Sequence, residues 1–318
     1  MKLITAFFRL IRWPNLFFIA LTQLLFYYCI IVPSLPDAYY ELHYKLTPFL
    51  FYLLVTASVL IAAGGYIIND YFDINIDQVN KPEKMVVQKI INRRWAIVFH
   101  LLLTAIGLAL SLYVSLKTNF IIIAANIGCA LLLWVYSTTF KKKLLSGNLI
   151  ISGLTAWTIL VLYFATNTIF TLNPGTITEV SSGMHTIYKF AALYAGFAFI
   201  ISLTREVVKD IEDMEGDSRY DCKTMPIVWG VPAAKVFVAV WLVVLIGSLA
   251  IVQFYVFQIG WWPSSLYIFF LVIVPLLRIL QQFYKAQTPI HYHRISTMIK
   301  MVMFTGILSM VLFRIHGL

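Results

Sequence analysis

Charge is what this sequence has least of. Only 12% of its 318 residues are Asp, Glu, Lys or Arg, against about a quarter in an ordinary soluble domain. Hydrophobic residues make up 61%, so a water-facing surface could not be covered with polar groups. A bilayer removes that difficulty, because lipid-facing positions stay apolar. Cysteine is also scarce. Cys29 and Cys129 lie in apolar stretches and Cys222 in a polar one, and no pair has the spacing of a disulfide framework or a zinc site. Gly/Ser-rich linkers and low-complexity tracts are absent, which points to one compact domain over residues 1–318. No Ser/His/Asp triad and no cysteine nucleophile is discernible. The six histidines, His43, His100, His185, His291, His293 and His316, are scattered; His291 and His293 flank a loop tyrosine and read as interfacial. The N-terminal stretch, basic and then apolar, resembles a signal peptide. Its apolar part is too long and no small-residue cleavage site follows, so it reads as a retained first helix.

What the chain does have is long apolar runs, and the fold class they indicate is all-α. A spanning helix needs about 20 mostly apolar residues, and nine such runs occur, at about 14–33, 48–68, 95–116, 119–138, 147–166, 187–206, 233–256, 262–281 and 297–315. The net charge of +10 does not imply nucleic acid, because the basic residues fall in short runs between apolar segments. With nine spans and the N-terminus inside, all of the 24 basic residues except Lys45, Lys117, Lys189 and Arg314 lie on the inward side. That is the positive-inside pattern of an integral membrane protein. The two long inward loops, about 69–94 and 207–232, hold most of the acids, so the chemistry is expected on the cytoplasmic face.

Two constellations stand there. In the first, Asn69-Asp70-Tyr71-Phe72-Asp73-Ile74-Asn75-Ile76-Asp77, the residues Asn69, Asp73 and Asp77 are four apart and stack along one face of a helix. Three carboxylates within eight residues repel one another unless a divalent cation intervenes. Oxygen-only ligands favour Mg2+, which typically uses one or two carboxylates together with water and substrate phosphate oxygens. In the second, Glu206, Asp210, Asp213 and Asp217 are spaced four, three and four, again one face. Each set continues an apolar span. One such run reads equally well as a solvated helix end. Two of them, in phase and on one side of the membrane, read as functional, because acids at a membrane edge are costly to keep. Lys81, Lys84, Arg93, Arg94, Lys141, Arg205, Lys209, Arg219 and Lys223 share that side and suit diphosphate oxygens. Lys142 and Lys143 read as topology or lipid-headgroup contacts.

Asn69-Asp-Tyr-Phe-Asp73-x-x-x-Asp77 followed by Asn80-Lys81-Pro82 resembles the first aspartate-rich signature of the UbiA superfamily of membrane prenyltransferases. Asp213-x-x-x-Asp217, preceded by Arg205-Glu206 and Lys209-Asp210, resembles its second. Tyr136-Ser137 with Lys141 and then Gly147-Asn148 resembles a third stretch of that family, at the end of the fourth helix. The resemblance covers essentially the whole chain, and the motifs look most like the digeranylgeranylglyceryl phosphate synthase branch. One departure stands out: where that branch has a Pro and a Gly after Asn-Lys-Pro, this chain reads Glu83-Lys84-Met85-Val86-Val87-Gln88-Lys89.

The resemblance implies Mg2+-dependent transfer of a prenyl group from a prenyl diphosphate to an acceptor held at the membrane, a glyceryl-phosphate lipid or an aromatic quinone precursor. It assigns Asn69, Asp73, Asp77, Asp210, Asp213 and Asp217 to magnesium and diphosphate, with Asp70 and Glu206 as outlying candidates. Lys141, Arg205, Lys209, Lys81 and Lys84 would take diphosphate charge. Tyr66, Tyr71 and Tyr136, near the acidic ends, would face the allylic cation. A cation-coupled transporter is the competing reading. It would place its acids near the bilayer midplane on broken helices, whereas here they stand at helix ends beside basic loops.

Overall fold

The computed structural model describes residues 2–36, 39, 45–167 and 177–316. The side chains of residues 2, 84, 177–179 and 316, and with them those of Lys84 and His316, fall outside that description, as does His43. The described residues are helical, with a single β-bridge between Val87 and Ile91. Helices α1 (Lys2–Leu10), α2 (Trp13–Ser34), α3 (Pro48–Phe72), α4 (Ile74–Asn80), α5 (Arg93–Lys117), α6 (Ile121–Thr138) and α7 (Ser146–Thr166) come first. They are followed by α8 (Ile177–Glu212), α9 (Met214–Arg219), α10 (Met225–Val228), α11 (Gly230–Gln258), α12 (Trp262–Lys285) and α13 (Pro289–Ile315). Among the described residues, nine of these are long and apolar enough to cross a membrane: α2, α3, α5 to α8 and α11 to α13.

Two boundaries differ from the sequence expectation for identifiable reasons. Helix α8 runs through Arg205 and Lys209 to Glu212, because polar residues spaced three and four apart extend an apolar helix without interrupting it. Helix α13 begins at Pro289, a residue suited to the first helical turn. Tyr292 is therefore not in a loop. It is buried in the helix, and its hydroxyl donates to the Ala286 carbonyl at 3.1 Å.

The chain divides into two compact units, 1–140 with 157–193 and 141–156 with 194–318. In the first, α3 and α5 pack closely through small residues, as membrane helices do. A Cβ on Gly107 would lie 2.8 Å from Ile61 Cγ1 and 3.1 Å from the Ala57 carbonyl, and one on Gly64 would strike Thr104 Oγ1. Buried polar side chains satisfy each other across helices: Asn126 Nδ2 donates to Ser111 Oγ at 2.8 Å, and Trp157 Nε1 donates to Asn126 Oδ1 at 3.1 Å. In the second unit, Val207, Val208 and Ile211 of α8 pack into a core with Leu242, Ile279, Phe283, Ile295 and Ile299. Helix α12 contains a π-turn at Phe269–Ile273, just before Pro275. Pro275 has no N–H for the carbonyl four residues back, that of Leu271, and Thr305 Oγ1 of α13 reaches that oxygen at 2.8 Å.

Candidate active site

The first acidic motif is the end of α3. The helix closes at Asp73, whose backbone (φ −86°, ψ 0°) leaves the helical region, and α4 starts at the next residue. The four-residue hydrogen-bond register nevertheless continues: Asp73 N–H donates to the Asn69 carbonyl (3.0 Å), Asp77 to Asp73 (2.8 Å) and Lys81 to Asp77 (2.9 Å). The expected alignment of Asn69, Asp73 and Asp77 thus survives a break that the spacing alone does not reveal. Asn69 and Asp73 are buried, and Asn69 Nδ2 donates to Asp73 Oδ2 at 2.7 Å. Asn69 Oδ1 is buried with no hydrogen-bond partner among the described residues. A buried orphan oxygen costs about 1–3 kcal/mol, and a hard oxygen beside a carboxylate is a donor suited to Mg2+.

Asp70 points elsewhere. Its Oδ1 lies 2.6 Å from Arg12 Nη2, and the Arg12 guanidinium stands 5.2 Å from the centre of the Tyr66 ring. Burial works against the Arg12 charge while the Asp70 carboxylate works for it, and the second prevails: the group sits above the ordinary arginine pKa. Arg93 lies 4.8 Å from the Tyr71 ring centre. The loop after the motif is held by apolar anchors, with Met85, Val86, Val87 and Ile91 buried in the core of the first unit. Gln88 takes a positive φ of 72°, and Lys89 Nζ donates to the Pro82 carbonyl at 2.6 Å. These contacts fix a loop that lacks the Pro and Gly of the branch it resembles.

The second motif repeats the arrangement. Helix α8 closes at Asp213 with φ −94° and ψ 5°, and α9 follows. Asp213 N–H donates to the Lys209 carbonyl (2.8 Å) and Asp217 N–H to that of Asp213 (3.2 Å). Both breaks lie in the sparsely populated bridge region, where many active-site residues sit. Glu206 Oε1 accepts from Arg205 Nη1 and from Lys209 Nζ, each at 3.0 Å. Arg205 Nε is buried without a partner among the described residues, an N–H suited to an anionic oxygen. Asp210 Oδ2 accepts from Asn148 Nδ2 at 2.8 Å. Asp217 is buried. Glu212 pairs with His293 Nδ1 at 2.8 Å. The backbone N–H of Lys223 donates to the Lys142 carbonyl at 2.8 Å, tying the loop after the motif to the one that carries Lys141.

Among the described residues no three His, Cys, Asp or Glu side chains converge as a ready-made metal cage. The donor chemistry still fits Mg2+, which keeps several waters and takes substrate phosphates into its shell. The first unit brings Asn69 and Asp73 together, and the second brings together Arg205, Glu206 and Lys209. Tyr136 and Lys141 each have interactions of their own. Sequence reasoning paired neither Arg12 with Asp70, nor Asn148 with Asp210, nor His293 with Glu212. Arg12 is 58 residues from Asp70 and Asn148 is 62 from Asp210, so no spacing rule could pair them.

The UbiA prenyltransferase family matches residues 13–303. A digeranylgeranylglyceryl phosphate synthase of Methanothermobacter thermautotrophicus is 31% identical over 254 residues, 79% of this chain and 80% of that protein. One of Thermococcus gammatolerans is 36% identical over 168 residues, 53% of this chain, which spans about half of that relative's length, 52%. A solved structure of digeranylgeranylglyceryl phosphate synthase in membranes has a TM-score of 0.62 at 22% identity, covering 99% of this chain and 100% of that one. A UbiA homologue from Archaeoglobus fulgidus, bound to GPP and Mg2+, has a TM-score of 0.57 at 16% identity over 96% of this chain and 99% of that one. The chain is an integral membrane protein, and it belongs to the UbiA prenyltransferase family.

Proposed function

We propose that this protein transfers a prenyl group from a prenyl diphosphate to a glyceryl-phosphate lipid in a Mg2+-dependent reaction. The match to the family runs through both compact units, which supports one prenyltransferase domain over residues 1–318. The observation that carries the reading is the bare Asn69 Oδ1 beside Asp73, at the end of a spanning helix. A metal–phosphate ligand would satisfy that oxygen. Relatives named for the glyceryl-phosphate reaction support the acceptor. So does the basic loop after the first motif, since a phosphorylated acceptor brings negative charge that an uncharged phenol lacks. The aromatic acceptor remains the second reading, favoured by one observation: the missing Pro and Gly between Lys84 and Lys89.

Asn69, Asp73 and Asp77 in the first unit and Asp210, Asp213 and Asp217 in the second are the residues that would hold Mg2+, which when bound would supply electrostatic stabilisation of the charge that grows on the departing diphosphate. The chain's own groups do the rest. Glu206 holds Arg205 and Lys209 in place through one oxygen, leaving Arg205 Nε for a phosphate oxygen. Lys141, Lys81 and Lys84 add positive charge. Asn148 orients Asp210 through a neutral amide and so adds no competing cation. Tyr66, Tyr71 and Tyr136 offer ring faces to the allylic cation, while the apolar spans hold the prenyl tail away from water. The N-terminus and both motifs face the cytoplasm in this reading, as the distribution of basic residues suggests.

The test is incubation of the purified protein in lipid nanodiscs with labelled prenyl diphosphates and a panel of acceptors, with and without Mg2+, followed by mass identification of the product. A prenylated glyceryl phosphate formed only with Mg2+ is expected. A prenylated phenol would move the acceptor to the second reading, and no product with any acceptor would overturn the function.

A further inference from the structure

Asp70 lies inside the first motif, next to Asn69 and three residues before Asp73, and would be counted with the metal-binding acids on sequence alone. The contacts of its side chain separate it from them. It stands one turn beyond Tyr66, and the two share a stripe of α3. Arg12 lies against that stripe, its guanidinium 5.2 Å from the Tyr66 ring centre and its Nη2 2.6 Å from Asp70 Oδ1.

The backbone of Arg12 shows that this contact is held in place. Arg12 joins α1 to α2 in the left-handed conformation, φ 52° and ψ 51°, which a non-glycine residue keeps only where its surroundings hold it. Its carbonyl accepts from Asn15 N–H at 2.8 Å and its N–H donates to the Arg9 carbonyl at 3.0 Å. Leu10, Ile11 and Leu16 on either side are buried in the core that also contains Ile67 and Ile74, which bracket the motif. The guanidinium thus reaches Asp70 from a packed, strained joint rather than from a mobile arm.

We infer that Asp70 is not a magnesium ligand but one half of a clasp with Arg12, a pair of positioning residues that fixes the last turn of α3 and with it the aim of Asn69 and Asp73. A carboxylate already held at 2.6 Å could turn to a metal only by giving up a charge-assisted hydrogen bond and leaving Arg12 partly buried and unpaired. The inference rests on reading the motif as a magnesium–diphosphate site.

The experiment uses the full chain, purified in detergent. Mg2+ is titrated calorimetrically in the presence of geranyl diphosphate, and kcat and melting temperature are measured on the same samples. Asp73→Asn should weaken Mg2+ binding by about a hundredfold, no less than loss of an outer-shell partner of a ligand costs, while Asp70→Asn leaves it within about threefold. Arg12→Ala and Asp70→Asn should each lower kcat by about tenfold. The double variant should lose no more than the worse single one, a coupling of ~1.4 kcal/mol. Arg12→Lys, which keeps the charge without the planar fork, should recover part of kcat, and it carries the test with Asp70→Asn if Arg12→Ala does not fold.

Three results would overturn the clasp. Loss of Mg2+ binding in Asp70→Asn as deep as in Asp73→Asn makes Asp70 a ligand. Losses in kcat that multiply in the double variant make the two residues independent. A lower melting temperature with unchanged kcat makes the pair merely structural. Retained Mg2+ binding in Asp73→Asn would instead remove the magnesium reading of the whole motif, a failure distinct from these three.

Discussion

Replacing Asn69 with Leu separates activity from stability in a way that follows from its two amide atoms. Nδ2 donates to a carboxylate at 2.7 Å, a hydrogen bond to a charged group worth about 1.5–3 kcal/mol. Oδ1 is buried and unsatisfied, which costs about 1–3 kcal/mol in the ligand-free protein. Leucine removes both, so the two terms nearly cancel and the melting temperature of the ligand-free protein should barely move. Turnover has no such cancellation. With Mg2+ and diphosphate present, Oδ1 is in use and Nδ2 holds Asp73 in position. Loss of the Nδ2 bond alone corresponds to a fall in kcat/KM of roughly 10- to 150-fold, and loss of Oδ1 adds to it. The assay is steady-state prenyl transfer in nanodiscs, with thermal unfolding of the same preparation. A variant that melts well below the parent while turning over normally would refute the reasoning, because Asn69 would then be a structural residue.

Asp213→Asn should lower turnover by orders of magnitude without loss of folded protein, checked by product formation per mole of monodisperse enzyme. Gly107→Val should destabilise the α3–α5 packing by about 1–3 kcal/mol, since even its Cβ would lie 2.8 Å from Ile61 Cγ1; thermal unfolding measures it. Sidedness is best tested on α6, whose 18 residues span about 27 Å. Cys222 is buried and makes a poor reporter. In a variant lacking the native cysteines, Lys143→Cys should be labelled by an impermeant thiol reagent only from the cytoplasm, and Phe120→Cys only from the opposite side.

Hydropathy made the nine spans legible, because each must bury its own backbone hydrogen bonds in lipid and so must be a long apolar helix. The acidic stripes were legible because a spacing of three or four places side chains on one face. The breaks at Asp73 and Asp213 were not: a helix that bends while keeping its four-residue register has the same spacing as one that does not. Asp70 shows the limit most clearly. Its place in the motif grouped it with Asn69 and Asp73, and only the fold brings Arg12 to it. Likewise Tyr292 was read into a loop because the apolar run begins at about residue 297, although Pro289 already starts the helix. The division into two compact units has no plain compositional mark, since two of its three crossings fall inside α7 and α8 and the third in the short connection between α6 and α7.

The π-turn of α12 ties together residues that lie 30 positions apart. Pro275 leaves the Leu271 carbonyl without its usual donor, and the Thr305 hydroxyl takes the vacancy from the neighbouring helix. The proline is not neutral without the threonine. Thr305→Val in the presence of Pro275 strands a carbonyl in an apolar setting, whereas with a residue at 275 that has an N–H, the helix can close its own bond and the hydroxyl becomes dispensable. Across relatives, the two positions should therefore change together. The order of change should also be constrained: the proline is lost first and the threonine afterwards, so that drift at this joint follows one path through sequence space and not its reverse.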